Sequence, residues 1–155
     1  MAQITSEEVQ AHQEWLQSNG ASGARIDETG LDLSGANLSG LNLSKSQFVG
    51  TDFTNANLCG TNFSGADFSG ATFTGANLEN ADFTGADLGG VTLDKANLTG
   101  ARISGADLSG ANLQGSNLTR ADFTNADLIA ANLTGTNQTG IILTGAILKD
   151  TQGVA

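Results

Sequence analysis

Two side chains in this sequence carry catalytic chemistry of their own, the imidazole of His12 and the thiol of Cys59, and each is the only one of its kind. An activated thiol needs a base beside it, and a His/Cys metal centre needs several converging ligands, so neither residue makes a site alone. His12 therefore reads as a packed or solvated residue of an N-terminal helix, and Cys59 as a small surface substitution. A single cysteine also rules out an internal disulfide. The glycines form no phosphate loop ahead of a helix. The expectation is a protein that is not an enzyme, with no catalytic residue, no cofactor and no bound metal. What remains are carboxylates, and Asp67, Asp87, Asp107 and Asp127 recur at a constant interval. Their chemistry is the display of charge.

The formal net charge is −10 over 155 residues. An acidic surface repels phosphate, so direct binding of nucleic acid is not expected. A basic partner is favoured instead, including a protein that itself grips DNA. The opening MAQITSEEVQ has neither a basic stretch nor an apolar core of the kind that directs secretion. No apolar run approaches the roughly 20 residues that span a bilayer. The expected setting is the cytoplasm, with no membrane contact. Abundant Gly, Ser, Thr and Asn with no Pro would suit a disordered linker, but the apolar residues keep a fixed period.

That period is five. From Leu31 the chain reads LDLSG, ANLSG, LNLSK, SQFVG, TDFTN, ANLCG, and the frame runs without insertion to AILKD, ending at Asp150. The third residue of each unit is Leu, Phe or Ile, except at Gln138. The first is mostly Ala, the second Asn or Asp, the fourth Ser or Thr, the fifth Gly. Such spacing fits neither a helical stripe nor an alternating strand. It fits a short extended segment followed by a tight corner, with the third residue inward and the small first residue beside it. One unit buries too little to be stable, so stability must come from stacking.

The pattern resembles the pentapeptide-repeat family, A(D/N)LXX, over residues 31–150. The resemblance implies an all-β solenoid, a right-handed quadrilateral β-helix with four units to a coil. The 24 units then make six coils, a rod about 29 Å long at a strand spacing of about 4.8 Å. Residues 20 apart stack, giving internal ladders such as Phe48, Phe68, Leu88, Leu108, Leu128 and Leu148. One outward column reads Asn37, Asn57, Asn77, Asn97, Asn117, Asn137, where amides can bond along the stack. Another reads Gln47, Asp67, Asp87, Asp107, Asp127, Ile147.

The aspartate column admits two readings. In one, Asp and Asn simply interchange at a tolerant position, with solvent screening the repulsion. Alternatively the column imitates DNA, because the family includes quinolone-resistance proteins that bind DNA gyrase and resemble the duplex in width and charge. Against the second reading, this frame has no loop insertions, no C-terminal helical module is visible, and Lys45, Lys95, Arg102, Arg120 and Lys149 interrupt the surface. Arg102 would lie between Asp82 and Asp122.

The two ends differ. Residues 1–30 read as a helical cap and linker. Thr5 and Glu8 have capping-box spacing and Ile4 and Val9 that of a hydrophobic staple, so a helix from about 6 to 18 follows, stopped by Gly20. Its face of Val9, His12, Trp15 and Leu16 should cover the first coil. The stretch HQEWLQSNG resembles leaders of other bacterial members, and a bacterial source is expected. Residues 151–155 read as a tail too short for a helix, and the sequence leaves open whether they order as a minimal cap. Ile142 and Ile147 replace outward polar residues there, so a homodimer through Ile141, Ile142, Ile147 and Leu148 is expected. Light scattering that finds only monomer would remove it. The sequence as a whole reads as a rigid protein-binding scaffold of unknown partner, with the gyrase-binding DNA mimic as the alternative.

Overall fold

Thr5 begins the first element as its N-cap: its Oγ1 accepts the Glu8 N–H at 3.2 Å, and the Glu8 carboxylate accepts the Thr5 N–H at 2.7 Å. Two otherwise orphaned donors are satisfied by that reciprocal pair. Helix α1 then runs Ser6–Gln17 and closes through Asn19 and Gly20, both at positive φ, with the Gly20 N–H on the Trp15 carbonyl. The computed structural model describes residues 3–155.

After α1 the chain winds as a four-sided coil. The second residue of each unit pairs in parallel with the residue 20 positions on, as Asn57 with Asn77 and Asn77 with Asn97. Each pairing is a single-residue bridge, because a corner follows at once. The unit Thr51–Asn55 accounts for all five of its N–H groups. Asp52 donates to Leu31 O in the preceding coil, and Phe53 and Asn55 donate to Thr72 O and Thr74 O in the next. Thr51 closes a turn on Phe48 O, at 3.1 Å. The remaining N–H, from Thr54, is taken by the Asp52 side chain at 2.8 Å. The family pattern therefore has a backbone reason: Asn or Asp in the second place accepts the fourth N–H, which no neighbouring coil reaches.

Ladders of third-position side chains fill the interior. Phe48, Phe53, Phe63, Phe68, Phe73 and Phe83 are all essentially inaccessible. Rings one coil apart stack, Phe48 on Phe68 at 5.1 Å and Phe53 on Phe73 at 5.0 Å, while neighbours around the coil meet edge to face. Small first residues, mostly Ala, fill the space between ladders.

The corners follow a second rule. Fifth-position residues from Gly30 to Asp150 have φ between +56° and +71°. Glycine adopts this readily, yet Lys45, Asn55, Asn80, Lys95, Arg120 and Asn125 also stand there. Each is followed one coil later by a glycine: Gly65, Gly75, Gly100, Gly115, Gly140 and Gly145. A methyl group on Gly75 would sit 2.5 Å from Asn55 Oδ1, and one on Gly100 2.5 Å from Asn80 Oδ1. A bulky corner residue leans over the next coil, and the glycine leaves it room.

Bridging extends one unit past the 31–150 frame at each end, starting with Asp27 to Gln47 and finishing with Asn132 to Gln152. The extra units escape the sequence pattern because Glu28 and Gly153 hold their central places. The first is nevertheless seated by Ile26, which is buried, and by the Thr51 hydroxyl on Glu28 O at 2.6 Å.

Candidate functional site

The structure stacks Asp67, Asp87, Asp107 and Asp127 in consecutive coils, each bridged to the next. Their carboxylates are not free-standing. Oδ1 accepts the N–H of Ser69, Gly89, Ser109 and Ile129 respectively, at 2.8 to 2.9 Å, and Asp67 also accepts the Ser69 hydroxyl. A hydrogen bond to a charged acceptor is worth about 1.5–3 kcal/mol. Repulsion between adjacent carboxylates at this spacing in water is about 1 kcal/mol. The turn bond prevails, so the column holds, and one oxygen of each carboxylate remains for display. Asp87 and Asp107, at its centre, are exposed.

The same turn sets the chemistry of other aspartates. Asp122 accepts the Thr124 hydroxyl and N–H, and these bonds hold its carboxyl below the usual range, with Ser104 and Arg102 assisting. Asp27 is lowered likewise by the Thr29 hydroxyl and N–H. Arg102 meets Asp82 at 3.5 Å, with the Arg102 side chain 66% exposed. A pair so open to water contributes at most about 1 kcal/mol. Its greater effect is to place a cation inside the column next to the acidic one.

The asparagine column is present, but its amide chain is interrupted. Asn57 donates to Asn37 and Asn97 to Asn77, at 3.1 and 3.2 Å, while Asn117 turns to the Thr99 hydroxyl. Each Oδ1 also serves its own turn, as Asn97 does for the Thr99 N–H.

His12 lies far from any reactive partner. Its ring is fully buried between α1, Ile26 and the corner at Ser44–Ser46. Trp15 lies beside it with ring centres 5.9 Å apart, and Arg25 covers the Trp15 face. Of the other cap residues, Ile4 packs on the core and Val9, Trp15 and Leu16 are half-buried. Cys59 is half-buried, with its N–H on Asn57. Among the described residues no three His, Cys, Asp or Glu side chains are grouped to hold a metal, and no helix is long and apolar enough to cross a membrane.

At the C-terminal end the expected patch divides. Ile142 and Ile147 are 45% and 50% exposed and extend two side columns, below Asp122 and Asp127. Ile141 and Leu148 belong to the inner positions of the last coil, so the four residues do not form one flat end face. The last residues are held in place by one side chain. Gln138 Nε2 donates to Gly153 O at 2.7 Å and its Oε1 accepts the Ala155 N–H at 3.0 Å, which straps the last residues across the coil. Sequence reasoning passed over Gln138 as a blemish in a ladder. Its signal is its place as the one polar central side chain between residues 31 and 150.

A coil of four five-residue units, with inward Leu and Phe and second-place Asn or Asp capping each turn, defines a class of solenoid. The sequence matches the family model for pentapeptide repeats in eight copies, over residues 29–65, 51–90, 61–100, 101–137 and 121–152. The chain belongs to the pentapeptide-repeat family, and its fold is that family's right-handed quadrilateral β-helix. No protein of curated function matches it. Among solved structures it is similar to HetL, a pentapeptide-repeat protein involved in heterocyst differentiation regulation from the cyanobacterium Nostoc sp. strain PCC 7120. Identity there is 27%, over 82% of this chain and 86% of HetL, with a TM-score of 0.43. It is also similar to full-length QnrB1, a plasmid-mediated fluoroquinolone resistance protein, at 22% identity over 77% of this chain and 71% of that one, TM-score 0.49. Rfr23 from the cyanobacterium Cyanothece 51142 gives 23% identity over 94% and 99%, TM-score 0.42.

Proposed function

We propose that this chain is a non-enzymatic protein-binding rod that engages a partner through its side faces. The observation that carries the reading is the double use of second-place side chains. Where the second residue is Asn or Asp, one oxygen fastens the turn to a filled core, and the rest of the group faces outward. Such a surface is organised before binding, so little conformational entropy is lost on association. A filled interior also leaves scant volume for a small-molecule ligand.

A second reading is a DNA mimic that binds gyrase or topoisomerase. It is favoured by carboxylates in four consecutive coils on a chain of net charge −10. The charge density argues against it. The single column carries one carboxylate per about 4.8 Å, whereas a single strand of DNA carries one phosphate per roughly 3.4 Å.

Asp87→Asn with Asp107→Asn separates the two, because an Asn amide oxygen still accepts the turn N–H. The double variant is expected to keep its stability within about 0.5 kcal/mol. For the rod, immobilised wild-type and variant protein should retain the same partner from a bacterial lysate. If the variant loses that partner, or if wild-type protein alters gyrase supercoiling with or without quinolone and the variant does not, the DNA-mimic reading replaces it. Absence of any partner and of any effect on gyrase would remove both.

A further inference from the structure

His12 holds the cap to the rod in a way that only one protonation state permits. Its Nδ1 accepts the Ile26 N–H at 3.3 Å, while its Nε2 faces the Ser44 carbonyl oxygen at 3.0 Å and the Ser46 hydroxyl at 3.4 Å. An N–H donor on one side and a carbonyl on the other require the neutral ring with its proton on Nε2. An imidazolium would carry a second N–H at Nδ1, aimed at the Ile26 N–H, donor against donor. The ring is completely buried, so water cannot relieve that opposition without the contact opening.

Charges of both signs lie around the ring. Arg25 lies nearby on the linker, and Lys45 occupies the corner between Ser44 and Ser46. On the other side, Glu8 of α1 with Asp27 and Glu28 of the first unit lines an adjoining cleft. Burial holds His12 below the ordinary imidazole range, with Arg25 adding to it and the Ser44 carbonyl opposing. A group whose folded value is depressed stabilises the docked state fully above its free value, about 6.5, and that contribution is lost as the pH falls below it.

What α1 covers at this end of the solenoid is Ile26, Ser44 and Ser46, all buried against His12. Among the described residues the N–H groups of Asp32, Asn37 and Asn42 have no backbone acceptor, unlike those of Asp52, Asn57 and Asn62. An open edge of this kind is a template for further pairing. We propose that His12 is a pH-operated latch: in mild acid its protonation releases α1 and uncovers the N-terminal end of the rod. Neutral conditions keep the end closed.

His12 is the only histidine, so its imidazole NMR signal is unambiguous. The ring should titrate below about 6.5, and amide protection factors of Val9 to Leu16 should fall at least about tenfold between about pH 7.5 and about pH 5. Those of Leu98 and Leu118 in the core should stay level. In His12→Gln, which cannot titrate, the acid-dependent fall in the helix should shrink to less than about twofold. A wild-type ring titrating at or above its free value would overturn the latch, even if the variant cap were loose at every pH. Equal acid sensitivity in His12→Gln would also overturn it, by assigning the effect to Glu8, whose carboxyl is held low by the Thr5 N–H and hydroxyl and loses that stabilisation in acid.

Discussion

Phe68→Ala is expected to destabilise the rod by about 3–5 kcal/mol, the largest loss for any single third-position substitution. The Phe68 ring touches five others: it stacks on Phe48 at 5.1 Å and meets Phe53, Phe63, Phe73 and Phe83 at 5.0 to 6.0 Å. Truncation removes its own burial and leaves all five facing a void, since coils above and below hold them in place. Leu88→Ala, in the same ladder but beyond the aromatic cluster, should cost less, about 2–4 kcal/mol. A solenoid is stabilised by contacts between neighbouring coils, so the Phe68 variant should also broaden the denaturant transition as the two halves lose coupling. Urea unfolding followed by circular dichroism measures both effects, and equal losses for the two variants would show the aromatic cluster to be unremarkable packing.

Gly75→Ala should cost about 2–3 kcal/mol, against about 1 kcal/mol for Gly70→Ala. Both glycines have nearly the same backbone, φ +67° and +66°, so conformational strain is shared. They differ in what lies over them. A Gly70 methyl meets nothing within 4 Å, whereas a Gly75 methyl meets the Asn55 side chain. Ala130 occupies a corner at φ 56°, so the strain alone is survivable. In an Asn55→Gly background the excess cost of Gly75→Ala should vanish, giving a coupling of about 1–2 kcal/mol in a thermal-denaturation cycle. An unchanged cost in that background would exclude the leaning-corner rule.

The interior was legible in the sequence because one apolar residue in five is a signal no other fold shares, and the stacking of Phe48 on Phe68 follows directly from a coil of 20 residues. The ends were not. Glu28 and Gly153 occupy central places without an apolar side chain, so the apolar pattern stops at 31 and 150 although bridging goes on to Asp27 and Gln152. Gln138 looked like a lapse because its role depends on where the last residues fold back. The acidic column was legible as a stack and misread as purely outward. Nothing in a one-dimensional pattern reveals that the fourth N–H lacks a coil partner and must borrow an oxygen from the second side chain.

Amide hydrogen exchange tests that double role of the second-place oxygen most directly. Ser69, Gly89 and Ser109 donate their N–H to Asp67, Asp87 and Asp107. Val49, Thr74 and Ser104 occupy the same fourth place after Gln47, Thr72 and Arg102 and have no such bond among the described residues. Protection factors for the first three should exceed those for the second by about tenfold to a hundredfold, as a bond of about 1.5–3 kcal/mol implies. Equal protection in the two sets would contradict it, and the aspartates would then be ordinary solvated side chains whose stacking says nothing about how the rod is built or what it presents.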